Sequence, residues 1–357
     1  MGGPWLRQNQ LVKQRRFTML TDKQMKILKE QVFFCNNPVY FFDNDADGLA
    51  SFLLLHDIIK EGKGYSARTG PELSGDFSRL VSQENDKIFV LDKAMISEAF
   101  LYNIKKTIVW IDHHMPQIIN MKNIIYINPR QNDYDIYYST TSCIYDTCKP
   151  EIKRKWVAAV GMLGDWCVPD FQDELIKEYP NYISKGVTTP EVTKGDVRLM
   201  IRIFSMIQKG DSSSIRRAID SLILVKNPYE ILEQSSKPGK EVWRKYIQVN
   251  EEFKKVIETA ETKIYDNVVV CIFHPIRNSF TKEIAQDLVL EHPDKIVLVL
   301  REKDGVLMGS IRGKNSLAIG EKAIKGLKAS IGGHEDAAGL NISSEDLKIF
   351  IERLKNG

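Results

Sequence analysis

The sequence predicts an α/β protein: a mostly parallel N-terminal sheet with helices on both faces, a helical connector, and a smaller C-terminal α/β domain. Three observations carry this. Over the first 170 residues, short Ile- and Val-rich runs alternate with stretches of helical periodicity, the pattern of βαβ units. Residues 171–262 lose that alternation and carry amphipathic helical stretches divided by Pro180, Pro190, Gly210 and Pro228. From about residue 266 the β/α pattern resumes.

Taken in order, residues 1–30 read as a leader and first helix, with Met19 as an alternative start. Residues 31–170 form the first α/β domain, with strands expected at Val39–Phe42, Tyr65–Arg68, Lys87–Leu91, Thr107–Ile111 and Ile124–Ile127 and a helix over Leu49–Ile59. Residues 171–262 form the connector, with helices at Val197–Gln208, Ser214–Leu224 and Val242–Lys263. Residues 263–357 form the second domain, with strands at Val268–Phe273, Ile296–Leu300 and Gly305–Ile311 and helices at Ser316–Ala329 and Ser343–Lys355.

Composition narrows the class. The chain has 357 residues, 43% hydrophobic and 27% charged, which fits two globular domains and not a disordered chain. Its apolar runs are too short to cross a bilayer as a helix. The N-terminus lacks the apolar segment of a secretory signal. Five cysteines, at 35, 143, 148, 167 and 271, include no CxxC pair, which favours a reducing cytoplasm over a disulfide or zinc framework. The net charge of +3 neither requires nor excludes nucleic acid. Residues 295–328, however, hold eight Lys/Arg against three acids.

The acidic residues are the strongest signal. Asp43, Asp45 and Asp47 follow the first expected strand, Asp92 ends the next Val-Leu run, Asp112-His113-His114 ends another, and Asp165 closes the apolar stretch Ala158–Leu163. Ligands of open α/β sheets gather outside the carboxyl ends of the strands, so these points, distant in sequence, are expected to meet. Ionised carboxylates packed together either raise their pKa values or bind cations. Oxygen donors with one imidazole suit Mn²⁺ or Mg²⁺ better than zinc. Two such ions can generate hydroxide and neutralise a phosphodiester. Singly, each Asp could equally be a helix cap or a turn residue. The DxDxDG run alone does not make a calcium loop, because position 54 is Leu where the bidentate Glu would stand.

With these residues in view, the sequence resembles the DHH phosphoesterase superfamily, in its RecJ-like, oligonucleotide-degrading branch. Asp43-Asn44-Asp45-Ala46-Asp47-Gly48-Leu49-Ala50-Ser51 is similar to the first family motif, DxDxDGxxS. Asp92 stands at the second motif, Asp112-His113-His114 at the third and Gly164-Asp165 at the fourth. Gly332-Gly333-His334-Glu335-Asp336-Ala337-Ala338-Gly339 resembles the GGHxxAAG motif of the DHH-associated C-terminal domain, and Gly309-Ser310-Ile311-Arg312 the SxR strand before it.

The resemblance implies that Asp43, Asp45, Asp47, Asp92, His113 and Asp165 ligate two Mn²⁺ ions, with Mg²⁺ as a substitute and Asp92 as the bridge. It assigns catalytic roles to Asp45, Asp112 and His114. Asp112 would orient His113, and His114 would act beside the scissile phosphate, as charge stabiliser or leaving-group acid. Arg312, Gly332, Gly333 and His334 would hold a substrate phosphate across an interdomain cleft. One departure stands out: the second motif usually has a glycine two residues after its Asp, whereas here Lys93 and Ala94 follow, and Lys93 would either stand near the metals or point to solvent.

The implied function is a Mn-dependent, cytoplasmic single-strand exonuclease of DNA or RNA, serving repair or replication with a protein partner from those assemblies. The alternatives are a hydrolase of very short oligoribonucleotides or nucleoside bisphosphates, and a replication scaffold. The length leaves no room for the oligonucleotide-binding barrel of bacterial RecJ, so long ends would need partners or the substrate would be short.

Overall fold

Continuous apolar runs mark strands covered on both faces, and the N-terminal sheet is built from them. The structure is a computed structural model describing residues 19–68, 70–134, 136–303 and 305–355; the side chains of Pro150, Lys303 and His334 lie outside the described residues, as does the expected leader before Met19. Two compact units divide between Tyr246 and Ile247.

The first unit opens with helix α1 (Asp22–Phe33), started by a capping box between Thr21 and Gln24. There follow β1 (Val39–Asp43), α2 (Ala46–Ile59), β2 (Lys63–Ala67), β3 (Glu72–Leu73), β4 (Lys87–Leu91), β5 (Met95–Ile96), α3 (Glu98–Asn103), β6 (Thr107–Ile111) and β7 (Ile124–Ile127). Five of these strands form a wholly parallel sheet in the order β2-β1-β4-β6-β7. The short β3 and β5, which the sequence reading lacks, pair with each other. Alternate residues feed the two faces. Val39, Phe41, Ile88, Val90 and Trp110 share one core cluster. Tyr40 and Phe42 instead pack their rings on Phe52 of α2, with centroids 5.1 and 4.9 Å away.

The sheet order decides where a ligand can sit. From β1 the chain first adds β2 on one side and then returns to add β4 on the other. At such a reversal the loops diverge and leave a crevice at the carboxyl ends. β1 and β4 pair from Val39–Ile88 to Phe42–Leu91, so Asp43 and Asp92 stand together at that crevice.

The unit is completed by α4 (Thr140–Cys148), α5 (Lys155–Gly164), α6 (Gln172–Glu178), α7 (Thr189–Val192), α8 (Val197–Met206), α9 (Ser212–Leu224), α10 (Tyr229–Leu232) and the start of α11 (Lys237–Thr259). Helix α5 lies close against α2: a Cβ at Gly161 would meet the Ala50 Cβ at 2.6 Å. Buried Arg154 holds Asp57 of α2 at 2.6 and 2.7 Å and donates to the carbonyls of Leu222 and Val225, tying the last turn of α9 to α2. Among the described residues no helix is long and apolar enough to cross a membrane.

The second unit carries β8 (Glu261–Ile264), β9 (Val268–Phe273), α12 (Thr281–Glu291), β10 (Ile296–Lys303), β11 (Val306–Arg312), α13 (Ser316–Ala323), β12 (Ala329–His334), β13 (Ala337–Ser343) and α14 (Leu347–Lys355). Its six strands run in the order β12-β13-β11-β10-β9-β8, antiparallel except for β9 with β10. Three expected helices stop or start short of their periodicity; that over Ser343–Lys355 begins only at Leu347, because Ser343 closes β13. The one over Val242–Lys263 stops at Thr259, and Glu261–Ile264 pairs with β9 instead. The one over Ser316–Ala329 stops at Ala323, because Gly326 takes a left-handed φ of +74° and turns the chain into β12.

Candidate metal centre and phosphate-binding residues

β1 delivers Asp43 to the crevice, and the next residues start α2. Asp45 is its N-cap, accepting from Gly48 N–H at 3.1 Å. Gly48 lets the helix begin this close to the strand, since a Cβ there would meet the Asp43 carbonyl oxygen at 2.5 Å. Asp47, in the first turn of α2, is buried, and its carboxylate accepts from the amides of Thr140 and Thr141, each at 2.8 Å. Those amides open α4, where unpaired N–H groups favour an anion. Thr140 Oγ1 also donates to Asp92 Oδ1 at 3.2 Å.

Asp92 has a φ of +58°, a left-handed conformation that Asp tolerates better than most residues. His113 Nε2 lies 3.2 Å from Asp92 Oδ1 and 3.3 Å from Asp165 Oδ2. Asp165 follows a helix, not a strand as its neighbours do: it is the C-cap of α5, with Tyr137 Oη donating to it at 3.4 Å. Ligand-capable atoms thus fall into three overlapping groups, Asp43–Asp45–Asp92, Asp47–His113–Asp165 and Asp92–His113–His114, each within 4.8 Å of one another.

The third motif differs from its expectation in one respect. Buried Asp112 does not hold His113: its Oδ1 lies 2.6 Å from His114 Nδ1, and its Oδ2 accepts from the His114 amide at 3.1 Å. The short step from residue 112 to 114 brings the second histidine back over the carboxylate. Asn128 supports the pair, donating to the His114 carbonyl at 2.9 Å and to Tyr126 Oη at 2.8 Å. Lys93 is likewise turned inward and not to solvent, with Nζ 2.8 Å from Asp43 Oδ1.

Electrostatics follow from this crowding. Burial, and then the Asp165 carboxylate, push Asp47 up to about 7. Burial, with Asp47 and Asp45 adding to it, holds Asp92 well above the usual carboxylate range. Burial would depress His113, but Asp165, Asp47 and Asp112 outweigh it and raise the imidazole. For His114 burial also acts downward, and Asp112 reverses it. Carboxylates that resist ionisation in this way are short of positive charge. Divalent cations would supply it, and oxygen donors with one imidazole fit hard ions of the Mn²⁺ or Mg²⁺ kind. The neighbouring thiols of Cys143 and Cys167 are pushed up by burial and so offer no thiolate for a soft metal.

Several residues around this centre carry no motif signal. Gln208, between α8 and α9, is fully buried and reaches back to donate to the Asp45 carbonyl at 2.7 Å, while Ser66 donates to its Oε1 at 2.7 Å. Thr140 and Thr141 stand in the run Ser139-Thr140-Thr141-Ser142, which does read as a helix start, but nothing local says whose carboxylate they receive.

In the second unit, Arg312 ends β11 opposite Ala337, and His334 faces the same Ala337 from β12, so both backbones flank one residue of β13. Gly332 and Gly333 precede His334 on the strand; the side chain of His334 lies outside the described residues. Gly333 has a φ of +151°, and a Cβ there would meet the Ala337 carbonyl oxygen at 2.6 Å, so only glycine fits. A Cβ at Gly332 would stand in open space, leaving its main chain accessible.

Such a centre, at the carboxyl ends of a parallel sheet, is one that could hold metal ions, and comparison with known proteins names the family. Residues 39–164 match the model of the DHH family, N-terminal domain, and residues 266–356 that of the DHHA1 domain. The chain belongs to the DHH phosphoesterase superfamily, with a DHHA1 domain following, and is a hydrolase of this metal-dependent phosphoesterase class. No match is found among curated proteins. Among solved structures, a DHH-domain protein from a family of ribosomal proteins aligns with a TM-score of 0.61 at 15% identity, over 96% of this chain and 93% of that one. RecJ from Thermus thermophilus in complex with Mn²⁺ aligns with a TM-score of 0.54 at 14% identity, over 94% of this chain and 54% of RecJ. The same RecJ in complex with Mg²⁺ gives 0.50 at 12% identity, over 99% and 56%. At these identities the likeness is one of fold, and this chain spans about half the length of those RecJ chains.

Proposed function

We propose that the chain is a Mn²⁺-dependent phosphodiesterase, acting as a single-strand-specific exonuclease on DNA or RNA ends in the cytoplasm, in repair or replication. The observation that carries this reading is the convergence of Asp43, Asp45, Asp47, Asp92, His113 and Asp165 at the β1/β4 crevice, where burial and the neighbouring carboxylates leave Asp47 titrating at about 7. These six residues would hold two ions, with Asp92 as the bridge the resemblance implies, since its Oδ1 lies 3.2 Å from His113 Nε2 of the Asp47–His113–Asp165 group. Bound divalent ions supply neutralisation of the phosphoryl charge and activation of water.

The chain's own groups do the rest. Asp112 fixes the His114 ring through Nδ1 and favours its protonated form. That leaves Nε2 to donate to a phosphoryl oxygen or to pass a proton to the leaving oxygen. Asp45 has a double duty, capping α2 while offering a carboxylate oxygen to the ion group. Arg312, the amides of Gly332 and Gly333, and His334 are assigned to a substrate phosphate; the basic surplus of residues 295–328 supports this, since phosphates beyond the cut need cations nearby. The catalytic part would then be residues 31–170, after the leader and helix of 1–30, with 171–262 as the connector and 263–357 as the substrate-binding part.

The test is degradation of end-labelled single-stranded DNA and RNA beside a dinucleotide, with Mn²⁺, with Mg²⁺ and with chelator. Shortening of the long strands from one end, abolished by chelator, is expected. Strong preference for the dinucleotide would replace this reading with that of a short-oligonucleotide hydrolase. No metal-dependent hydrolysis of any of them would overturn both.

A further inference from the structure

A cation is already built into the carboxylate cluster. Lys93 follows Asp92 directly, and its carbonyl accepts the Trp110 indole N–H at 2.7 Å, which pins the main chain. Its side chain is fully buried, with Nζ 2.8 Å from Asp43 Oδ1. The same ammonium donates to the Ala67 carbonyl at 3.5 Å and to the Gly70 carbonyl. Three acceptors meet three N–H donors, so this buried charge is both paired and hydrogen-bonded, the condition under which burial is tolerated.

The placement is lopsided. Asp43 belongs to the Asp43–Asp45–Asp92 group and not to the Asp47–His113–Asp165 group. A positive charge on Asp43 engages one carboxylate oxygen, withdraws negative charge from that group and repels a divalent ion entering it. The three acceptors of the ammonium include no atom of the other group.

We infer that Lys93 makes the two ion positions unequal: the Asp47–His113–Asp165 group fills first, and the Asp43–Asp45–Asp92 group holds its ion weakly enough to exchange with the surroundings. The inference rests on the metal centre proposed above and deepens it, because turnover then follows the ambient concentration of divalent ions through the weaker position.

Calorimetric titration of the metal-free full chain with Mn²⁺ tests this, on the wild type, Lys93→Gln and Lys93→Met, with thermal unfolding of each to confirm that it is folded. The wild type is expected to show two separate steps. In the variants the weaker step tightens by about tenfold or more, while the stronger moves by less than about twofold. A second step unchanged or weakened in folded variants overturns the role of Lys93 and leaves the metal centre standing. Two equal steps in the wild type overturn it as well, without any variant. If both substitutions prevent folding, Asp43→Asn decides: loss confined to the weaker step supports the inference, and loss of the stronger step overturns it. A wild type that takes up no Mn²⁺ brings down the metal centre itself, and the inference with it.

Discussion

Raising the pH should destabilise the metal-free protein, and Asp47→Asn should remove much of that effect. Asp47 titrates at about 7 in the fold against 3.8 for an ordinary Asp. Between these values the folded state keeps a proton that the unfolded chain has lost, so stability falls as pH rises. Integrated from pH 5 to pH 8, this one carboxyl weakens the fold by about 2–3 kcal/mol, out of about 4 kcal/mol in full. Asp92 and Asp146, both raised by burial, act in the same direction. His113 and His114, raised by their carboxylate neighbours, keep a proton above pH 6.5 that the unfolded chain has lost, and so also add to the fall. His56, depressed by burial, opposes it. Carboxyls held below their usual range, such as Asp86 and Glu230, have largely delivered their contribution by pH 5.

The assay is urea unfolding in excess chelator, followed through the fluorescence of the buried Trp110 and Trp156 in the first unit. Asp47→Asn retains one acceptor for the Thr140 and Thr141 amides and loses the other, so it is expected to be less stable than wild type at pH 5 by about 1.5–3 kcal/mol. By pH 8 most of that deficit should vanish, because the buried charge is gone. Saturating Mn²⁺ at pH 8 should restabilise the wild type, by about 2.7 kcal/mol at a hundredfold excess over its dissociation constant. A metal-free stability that is flat or rising between pH 5 and 8, or an Asn variant with the wild-type slope, would refute the reasoning.

Other perturbations separate the roles of neighbouring groups. Asp112→Asn removes the charge beside His114 Nδ1 while sparing the ion groups; turnover should fall by about a hundredfold or more with Mn²⁺ uptake unchanged, as read by kinetics beside calorimetry. Gln208→Leu strips the buried bridge between Ser66 and the Asp45 carbonyl and should lower stability by about 1–3 kcal/mol in urea unfolding. Arg312→Ala should raise KM with kcat nearly intact and reduce the log–log salt slope of strand binding by about one; an unchanged slope would remove Arg312 from the phosphate site.

The sequence by itself determined the architecture and the chemical character of the centre, because those are written in local patterns. Continuous apolar runs such as Val39–Phe42 and Lys87–Leu91, short and set between polar residues, read as strands buried on both faces, and the Asp-rich turn follows directly on the first. What only the tertiary structure decided are contacts between segments that no spacing links. Gln208 meets Asp45 across more than 160 positions, Thr140 and Thr141 meet Asp47 across more than 90, and Lys93 turns inward because Asp43, Ala67 and Gly70 happen to gather three acceptors around its ammonium. Within the third motif, the resemblance implied that Asp112 orients His113, and chain direction after β6 gave the carboxylate to His114 instead. A hydrogen bond fixes distance and angle within a few tenths of an ångström, whereas a sequence pattern fixes only which face a residue occupies. The helices over Val242–Lys263 and Ser316–Ala329 ended early for the same reason: periodicity continues past the point where strand pairing at Glu261–Ile264, or a left-handed turn at Gly326, takes over the backbone.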